Sequence, residues 1–575
     1  MTTISRTVAL MCVPPPRCKI DRISSPPLFR RVSSARSYSL RTSGGIASTL
    51  SYSLPLNTIL RLTSPKVGSG RRPEQGLAFR PALTPGWTPM RLAFPVAPLA
   101  LLTLAAIPAT AQETPAEKTA AADVIRRMGE LERSLALPPL VARLAGARDP
   151  RRDAVIARAR DLMDRELLAM ADDITRHPET GWKEERSVKI LADYLTAHGF
   201  AIEMGVAGLK TAFVARYTKG TPGGAGGPNL GIIVEYDALR GTSRDFHGDQ
   251  HSAQGPVGLA AAVAVSEFLT SSKTPGTVTV YGTPAEELAS PAAKTVMYKA
   301  GVFKGADVLI RSHSSTATQD PGPGFGSCCM NINVVHYTFS GAPAHQLQAW
   351  DGRDALMGVI ELFNHIDGLR KTLRPETKIQ GIITEGGKAP NVVPDRAAAE
   401  FWIRYPDPVY LAQVSALVND AARGAALATG TKVRIELDSS SRNGISVAAL
   451  NDLAFAYLKK LGATKVDDSP GRPLPFEETG TVATQIPGVG LTAHSSNGGY
   501  HTFEMEADAL GEVGHHGFMV DAQTMAAVLY HFATDAPYRA TVKREFDGLH
   551  GLYDEYLTAL RSAYPLPTVP EPTGN

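Results

Sequence analysis

The stretch FHGDQHSAQG, Phe246–Gly255, places three potential metal ligands, His247, Asp249 and His251, within five residues. Alone, it is either a metal loop or a polar turn. Groups of the same chemistry recur along the chain. LGIIVEYDAL carries Glu235 and Asp237, TVTVYGTPAEE closes on Glu286 and Glu287, and ADVLIRSHSS contains His313. Carboxylates and imidazoles are ligands that suit zinc and manganese. Asp249, His251, Glu287 and His313 form a candidate set, which needs a further histidine from the C-terminal half. SSNGGYHTFEMEA offers His494 and His501, and VGHHG offers His515 and His516. Adjacent acids after a strand diverge, so one of Glu286 and Glu287 can face a metal and the other a substrate. Singly, each feature has a plainer reading: an acidic pair as a solvated loop, a lone histidine as a structural residue. Their combination points to a metal site.

The elements that position these groups follow a pattern. Each of the three runs is a short apolar strand with polar residues at its end. Helical stretches such as VGLAAAVAVSEFL lie between them. Strands alternating with helices predict an α/β fold, a largely parallel sheet flanked by helices. In such sheets ligands gather at the carboxyl ends of the strands. An Ala/Arg/Leu-rich helical lead-in runs from Gln112 to about Arg176. In TRHPETGWKEERSVKILADYLTAHGF, Val188, Leu191 and Leu195 recur at helical spacing and Gly199 is a stop. From about Met330 the pattern changes. MNINVVHYTFSG and AAAEFWIRYP alternate as strands, and DALMGVIELFNHIDGL and PVYLAQVSALVNDAARGAALA read as amphipathic helices. The expectation is an α+β lid or dimerisation domain over 330–440, inserted between catalytic parts at 112–329 and 441–575.

Composition narrows the class. The chain has 575 residues, 43% of them hydrophobic and 20% charged, with a net charge of +3. That length asks for more than one domain. The near-neutral balance, and the mixed charge of the two lid helices, give no reason to expect nucleic acid. Of the four cysteines, Cys12 and Cys18 lie near the start and Cys328 and Cys329 are neighbours. Neighbours rarely pair, so the latter two read as small apolar packing residues.

Residues 1–89 are rich in Arg, Ser and Pro and show no structural period. MRLAFPVAPLALLTLAAIPATAQ, Met90–Gln112, then has a basic start, an apolar run and an A-x-A site at Ala109–Ala111, the pattern of a secretory signal peptide. The run is short and Pro-interrupted for a membrane anchor. We expect Met90 to be the true start, cleavage after Ala111, a periplasmic or secreted protein, and no membrane span in the mature chain. An Arg/Ser-rich organelle transit peptide is the rival reading of 1–89.

HPETGWKEERS, VEYDAL, GTPAEE, SGAPAH, GIITEGGKAPNVVPDRAAAEFWIR and YHTFEM occur in that order. Over about Arg176 to Leu549 the sequence resembles the di-metal peptidases that include aminoacylases, indole-acetyl-amino-acid hydrolases and aminobenzoyl-glutamate hydrolases. It is most similar to the last branch, through GIITEGG and HTFE. The resemblance implies a di-zinc exopeptidase-like fold with two divalent metal ions per subunit, zinc or manganese. It implies His251, Glu287, His313 and His501 as ligands, Glu286 as general base, and Asp237 as a residue that orients a ligand. His345 in SGAPAH would reach the partner subunit's active site and steady the oxyanion, which implies a homodimer. Asn391 in APNVVP would lie near substrate. Two departures stand out. The branch reads HACGH where this chain reads HGDQH, so Asp249 replaces the usual cysteine ligand, and a bridging carboxylate shifts the preference toward harder metals. Glu478 in FEETGTVA stands where relatives tend to have aspartate.

The function expected is hydrolysis of the amide bond of a small-molecule substrate: an N-acyl or aminobenzoyl amino acid, or a small peptide. The alternative is a non-catalytic binding protein with a decayed site, against which the retention of Glu286, Glu287, His313 and His345 argues. A serine hydrolase ranks last, since no GxSxG elbow lies in a strand–turn–helix context. His247 reads as a neighbour of the ligands, His494, His515 and His516 as surface or loop residues, and Trp350 as either a cleft or a surface aromatic.

Overall fold

A computed structural model describes residues 115–217, 227–288, 291–326, 330–469 and 471–563. The upstream segment 1–89, the Met90–Ala111 leader and the Cys328–Cys329 pair lie outside the described residues.

The main body is built on a six-stranded sheet in the order Phe200–Met204, Phe213–Tyr217, Thr277–Gly282, Asn229–Val234, Val308–Ser312, Gly488–Leu491. The last four strands are parallel, and the first two form an antiparallel edge. The three parallel strands read from the sequence are apolar nearly throughout because both their faces are covered. Gly231 permits a close approach inside this sheet: a Cβ there would sit 2.4 Å from Leu309. Helix His251–Ser272, small and apolar on all sides, is buried in the core. It packs against Glu512–Thr534 and Pro150–Leu162. The lead-in is helical as expected, from Pro115–Leu135 to Leu168–Arg176, and the first of these helices lies along the C-terminal helix Ala536–Ala563. Among the described residues no helix is long and apolar enough to cross a membrane.

Residues 331–441 form a second sheet, antiparallel throughout, in the order Lys432–Ser441, Asn331–Ser340, Arg396–Tyr405, Lys378–Glu385. Arg396–Tyr405 alternates buried and open positions, as a strand with one covered face must. Helices Ala355–Leu369 and Pro408–Thr429 cover that face and share its core with Tyr337, Phe339, Phe401 and Ile403. Asp354 and Asp407 cap the two helices, each accepting two backbone N–H groups. The chain enters and leaves this unit side by side, with Asn331 Nδ2 donating to Asn443 Oδ1 at 2.9 Å.

Candidate metal centre

The parallel strands deliver their terminal polar groups to one end of the sheet. Asp237 follows Asn229–Val234, Glu286 and Glu287 follow Thr277–Gly282, and His313 follows Val308–Ser312. His251 is the first residue of its buried helix. His501 arrives from the far half of the chain, and its N–H donates to Gly248 O at 3.0 Å. Gly248 is required there: a Cβ would lie 2.6 Å from Leu239 and Phe246 and 3.0 Å from His501 Cα. The glycine lets the two ligand loops touch through their backbones.

These side chains converge as two neighbouring groups. Asp249, Glu287 and His501 present ligand atoms within 4.8 Å of one another, and so do His251, His313 and Glu235. Glu286 and Glu287 form a further group with His251. His501 Nε2 stands 3.1 Å from Asp249 Oδ2 and 3.8 Å from Glu287 Oε2. Asp237 uses both oxygens for positioning. Oδ1 meets His251 Nδ1 at 3.0 Å, and Oδ2 accepts the Glu287 N–H at 2.9 Å. The His251 bond turns Nε2 toward the centre, as a carboxylate behind a ligating histidine does.

Backbone strain surrounds the same place. Gln250, Ala285 and His501, each beside or among the candidate ligands, are non-glycine residues with positive φ of 55°, 56° and 59°. Such conformations cost of order 1–3 kcal/mol each and persist where surrounding contacts over-determine them. At Ala285 those contacts come from Glu184, a fully buried carboxylate that accepts the Ala285 N–H and the Thr211 hydroxyl, both at 2.8 Å.

Behind the centre lies a buried quartet that local sequence patterns did not reveal. Glu235 Oε1 contacts Lys294 Nζ at 2.5 Å and Arg311 Nη1 at 2.8 Å, and both cations also meet Glu478. Gln254 donates to the other Glu235 oxygen at 2.6 Å. Glu478, the departure noted in FEETGTVA, thus closes an ion network. Its neighbour Glu477 is fully buried and accepts the N–H groups of Thr479, Val482 and Ala483.

Acids crowd this volume, and their protonation reflects it. Burial, then the charges of Glu478, Glu287 and Glu235, push the Glu286 carboxyl well above the usual range. Burial pushes Glu287 up to about 8, with Asp249 and Asp237 adding to it. Burial also raises Asp249, but the bond from His501 and the nearby imidazoles outweigh it and hold that carboxyl low. Burial opposes protonation of His251, yet Asp237 and Glu235 raise it well above an ordinary imidazole. Among the described residues, His251 Nε2 and Asp249 Oδ1 at this centre are buried without a hydrogen-bond partner. Buried polar atoms are rarely left so. An excess of carboxylates with orphaned donor atoms on a histidine and an aspartate fits divalent cations, with oxygen and nitrogen ligands of the type zinc and manganese take.

The other sequence candidates fall elsewhere. His345 and Asn391 are exposed on the inserted unit, joined through a bridge between His345 and Val392 and a 3.1 Å bond from Gln346 N–H to Asn391 O. Neither belongs to the converging groups. His247 is buried, and burial lowers its imidazole to about 3. Its backbone N–H donates to Glu506, which also pairs with Arg244. His494 sits in a loop but is buried against Thr464 rather than at the surface. His515 and His516 lie in helix Glu512–Thr534, and His515 meets Asp172 at 2.8 Å. Trp350 is 75% exposed. Glu184 and Lys294 are the functional neighbours that sequence reasoning passed over, and Glu235, noted there only as an acid at a strand end, joins them.

Comparison with known proteins agrees with this architecture. Residues 326–429 match the model of the peptidase dimerisation domain M20_dimer. The chain is 30% identical over 310 residues to one of the subunits of p-aminobenzoyl-glutamate hydrolase from Escherichia coli (strain K12), across 51% of this chain and 62% of that protein. It is 29% identical over 337 residues to the Xaa-Arg dipeptidase of Mus musculus, across 56% of this chain and 75% of that one. A candidate aminohydrolase from methicillin resistant Staphylococcus aureus shares the fold, at a TM-score of 0.51 and 16% identity over 66% of this chain and 100% of that chain.

Proposed function

We propose that this chain, a member of the M20 family of peptidases and amidohydrolases, is a metal-dependent hydrolase of linear amide bonds in N-acyl or aminobenzoyl amino acids or small peptides. The observation that carries this reading is the convergence of Asp249, Glu287 and His501 with His251 and His313, and Glu286 alongside. Asp249, His251, Glu287, His313 and His501 would hold two divalent cations, zinc or manganese. When bound, these ions supply Lewis acidity that activates water and polarises the scissile carbonyl. Glu286 takes the proton of the attacking water and passes it to the leaving amine. Asp237 keeps the His251 ring oriented. His345 of a second copy, brought by pairing of the inserted units, would donate to the oxyanion, and Asn391 would meet substrate. Export of the mature chain after Ala111 belongs to the same reading and is checked by N-terminal sequencing.

The test is a metal analysis followed by assays of aminobenzoyl-glutamate and N-acyl amino acids with and without chelator. Chelator-sensitive hydrolysis by a metal-bearing protein is expected. Glu286→Gln should keep its metal and lose about a hundred- to ten-thousandfold in kcat. A chain that binds no divalent cation, or a Glu286→Gln variant with full turnover, would overturn the assignment.

A further inference from the structure

A second site of different chemistry lies where the inserted unit meets the C-terminal helix. A cavity of about 480 Å³ opens there. Pro408, Val409 and Ala412, from the first turns of Pro408–Thr429, form one wall. Tyr553, Leu557 and Arg561, from Ala536–Ala563, form the other. Arg442 closes the end, on the segment that leaves the inserted unit. Sites for small organic ligands have about this volume and this mix of apolar walls with a few polar groups.

The two arginines give the cavity its character. Arg442 spends three donors on uncharged oxygens: Nη1 on Ile332 O at 2.9 Å and Ser441 O at 2.7 Å, and Nη2 on Asn333 Oδ1 at 2.9 Å. A guanidinium has five N–H donors, so two are left over. Among the described residues neither Arg442 nor Arg561 forms an ion pair. Both lie near the Tyr553 phenol: burial pushes its pKa up to about 12, while the charges of Arg442 and then Arg561 pull it the other way. Asp554, on the same helix, lines an adjoining space of about 320 Å³ that Arg442 and Tyr553 also border, and it lies 3.8 Å from His550. Among the described residues that line the larger cavity, two are arginines and none is an acid.

We propose that this cavity binds a small organic acid, with its carboxylate held between Arg442 and Arg561 and its apolar body against Val409, Ala412 and Leu557. Guanidinium forks match carboxylates in shape as well as charge. A ligand here touches the inserted unit, the main body and the segment that joins them. Arg442 also binds Ile332 O on the entering strand, so the occupant sits at the joint of the two sheets.

Titration calorimetry on the full chain tests this with hexanoate and with hexan-1-ol, which has the same body and no charge. Hexanoate should bind at least roughly tenfold more tightly than the alcohol. Arg561→Gln, an exposed change, should weaken hexanoate by roughly tenfold or more. Ala412→Phe fills the cavity and should abolish binding while leaving hydrolysis intact. His501→Ala, which alters the metal centre alone, should leave hexanoate binding unchanged. Absence of hexanoate binding at millimolar concentration, equal affinity for the alcohol, or binding that survives Ala412→Phe but is lost in His501→Ala would overturn the proposal.

Discussion

Lys294→Met removes one charge from the buried quartet and leaves its shape nearly intact. Lys294 is 2% exposed and contacts Glu235, itself fully buried, at 2.5 Å. The quartet is formally neutral, with two carboxylates and two cations. After the change Glu235 and Glu478 share Arg311 alone, at 2.8 Å to each. Breaking a buried pair in this way costs about 3–5 kcal/mol, because the loss is dominated by the carboxylate left without compensation. Glu478→Gln in the same chain removes that surplus charge and should recover roughly 1–3 kcal/mol. The measurement is a double-mutant cycle by urea denaturation on the parent, both single variants and the pair. A second readout is the pH–rate profile. Glu478 and Glu235 already push Glu286 up, so their stripped charge should move the acid limb of the profile to higher pH. A Lys294→Met variant within about 1 kcal/mol of the parent, or a pair no more stable than that variant, would refute the picture of a charge-balanced wall.

Other perturbations probe the neighbouring features. Glu184→Ala leaves the Ala285 N–H without its acceptor, a loss of about 1–3 kcal/mol in a buried site. We expect kcat to fall about ten- to a hundredfold with metal content preserved, and Glu184→Gln, which keeps an acceptor, to restore most of it. Asp249→Cys should raise the ratio of zinc- to manganese-supported activity after chelation and reloading, since thiolate favours the softer ion; an unchanged ratio would remove Asp249 from the ligand set. Burial, with Asp320 and Glu132 nearby, pushes Asp452 up to about 7. A carboxyl raised in the folded state contributes stability that is complete below its unfolded value, about 4, and is lost as pH climbs through about 7. Asp452→Asn should therefore gain on the parent between pH 5 and 8 in denaturation midpoints, and a constant difference across that window would contradict the shift.

How much of this was readable in the sequence depended on range. The strand-then-acid rhythm placed Asp237, Glu286, Glu287 and His313 at the same end of the sheet because parallel strands between covering helices are short apolar runs that give way to polar residues at their ends. The shift to alternation near residue 330 marked the antiparallel unit for a similar reason. Glu235 was visible as an acid after its strand but its pairing was not, since its partners Lys294 and Arg311 are 59 and 76 residues away and no period links them. Glu184 lay within HPETGWKEERS, a block noted only for its resemblance, and its role depends on a strained Ala285 that sequence does not display. His515 and His516 read as surface or loop residues; His516 is exposed, but both lie in a helix that runs straight through, with Gly517 packed against Ser495. Pairings between distant segments, rather than the elements themselves, escaped the sequence.

The Asn331–Asn443 contact at the mouth of the second sheet bears on ancestry. A unit whose two ends emerge beside each other is gained or lost by a lineage without tearing the host fold, because a short turn replaces it. All five candidate ligands and Glu286 reside in the host, whereas His345 and Asn391 travel with the insert. On the proposed reading, the capacity to hold a cation and the choice of what is acted upon would be separately heritable.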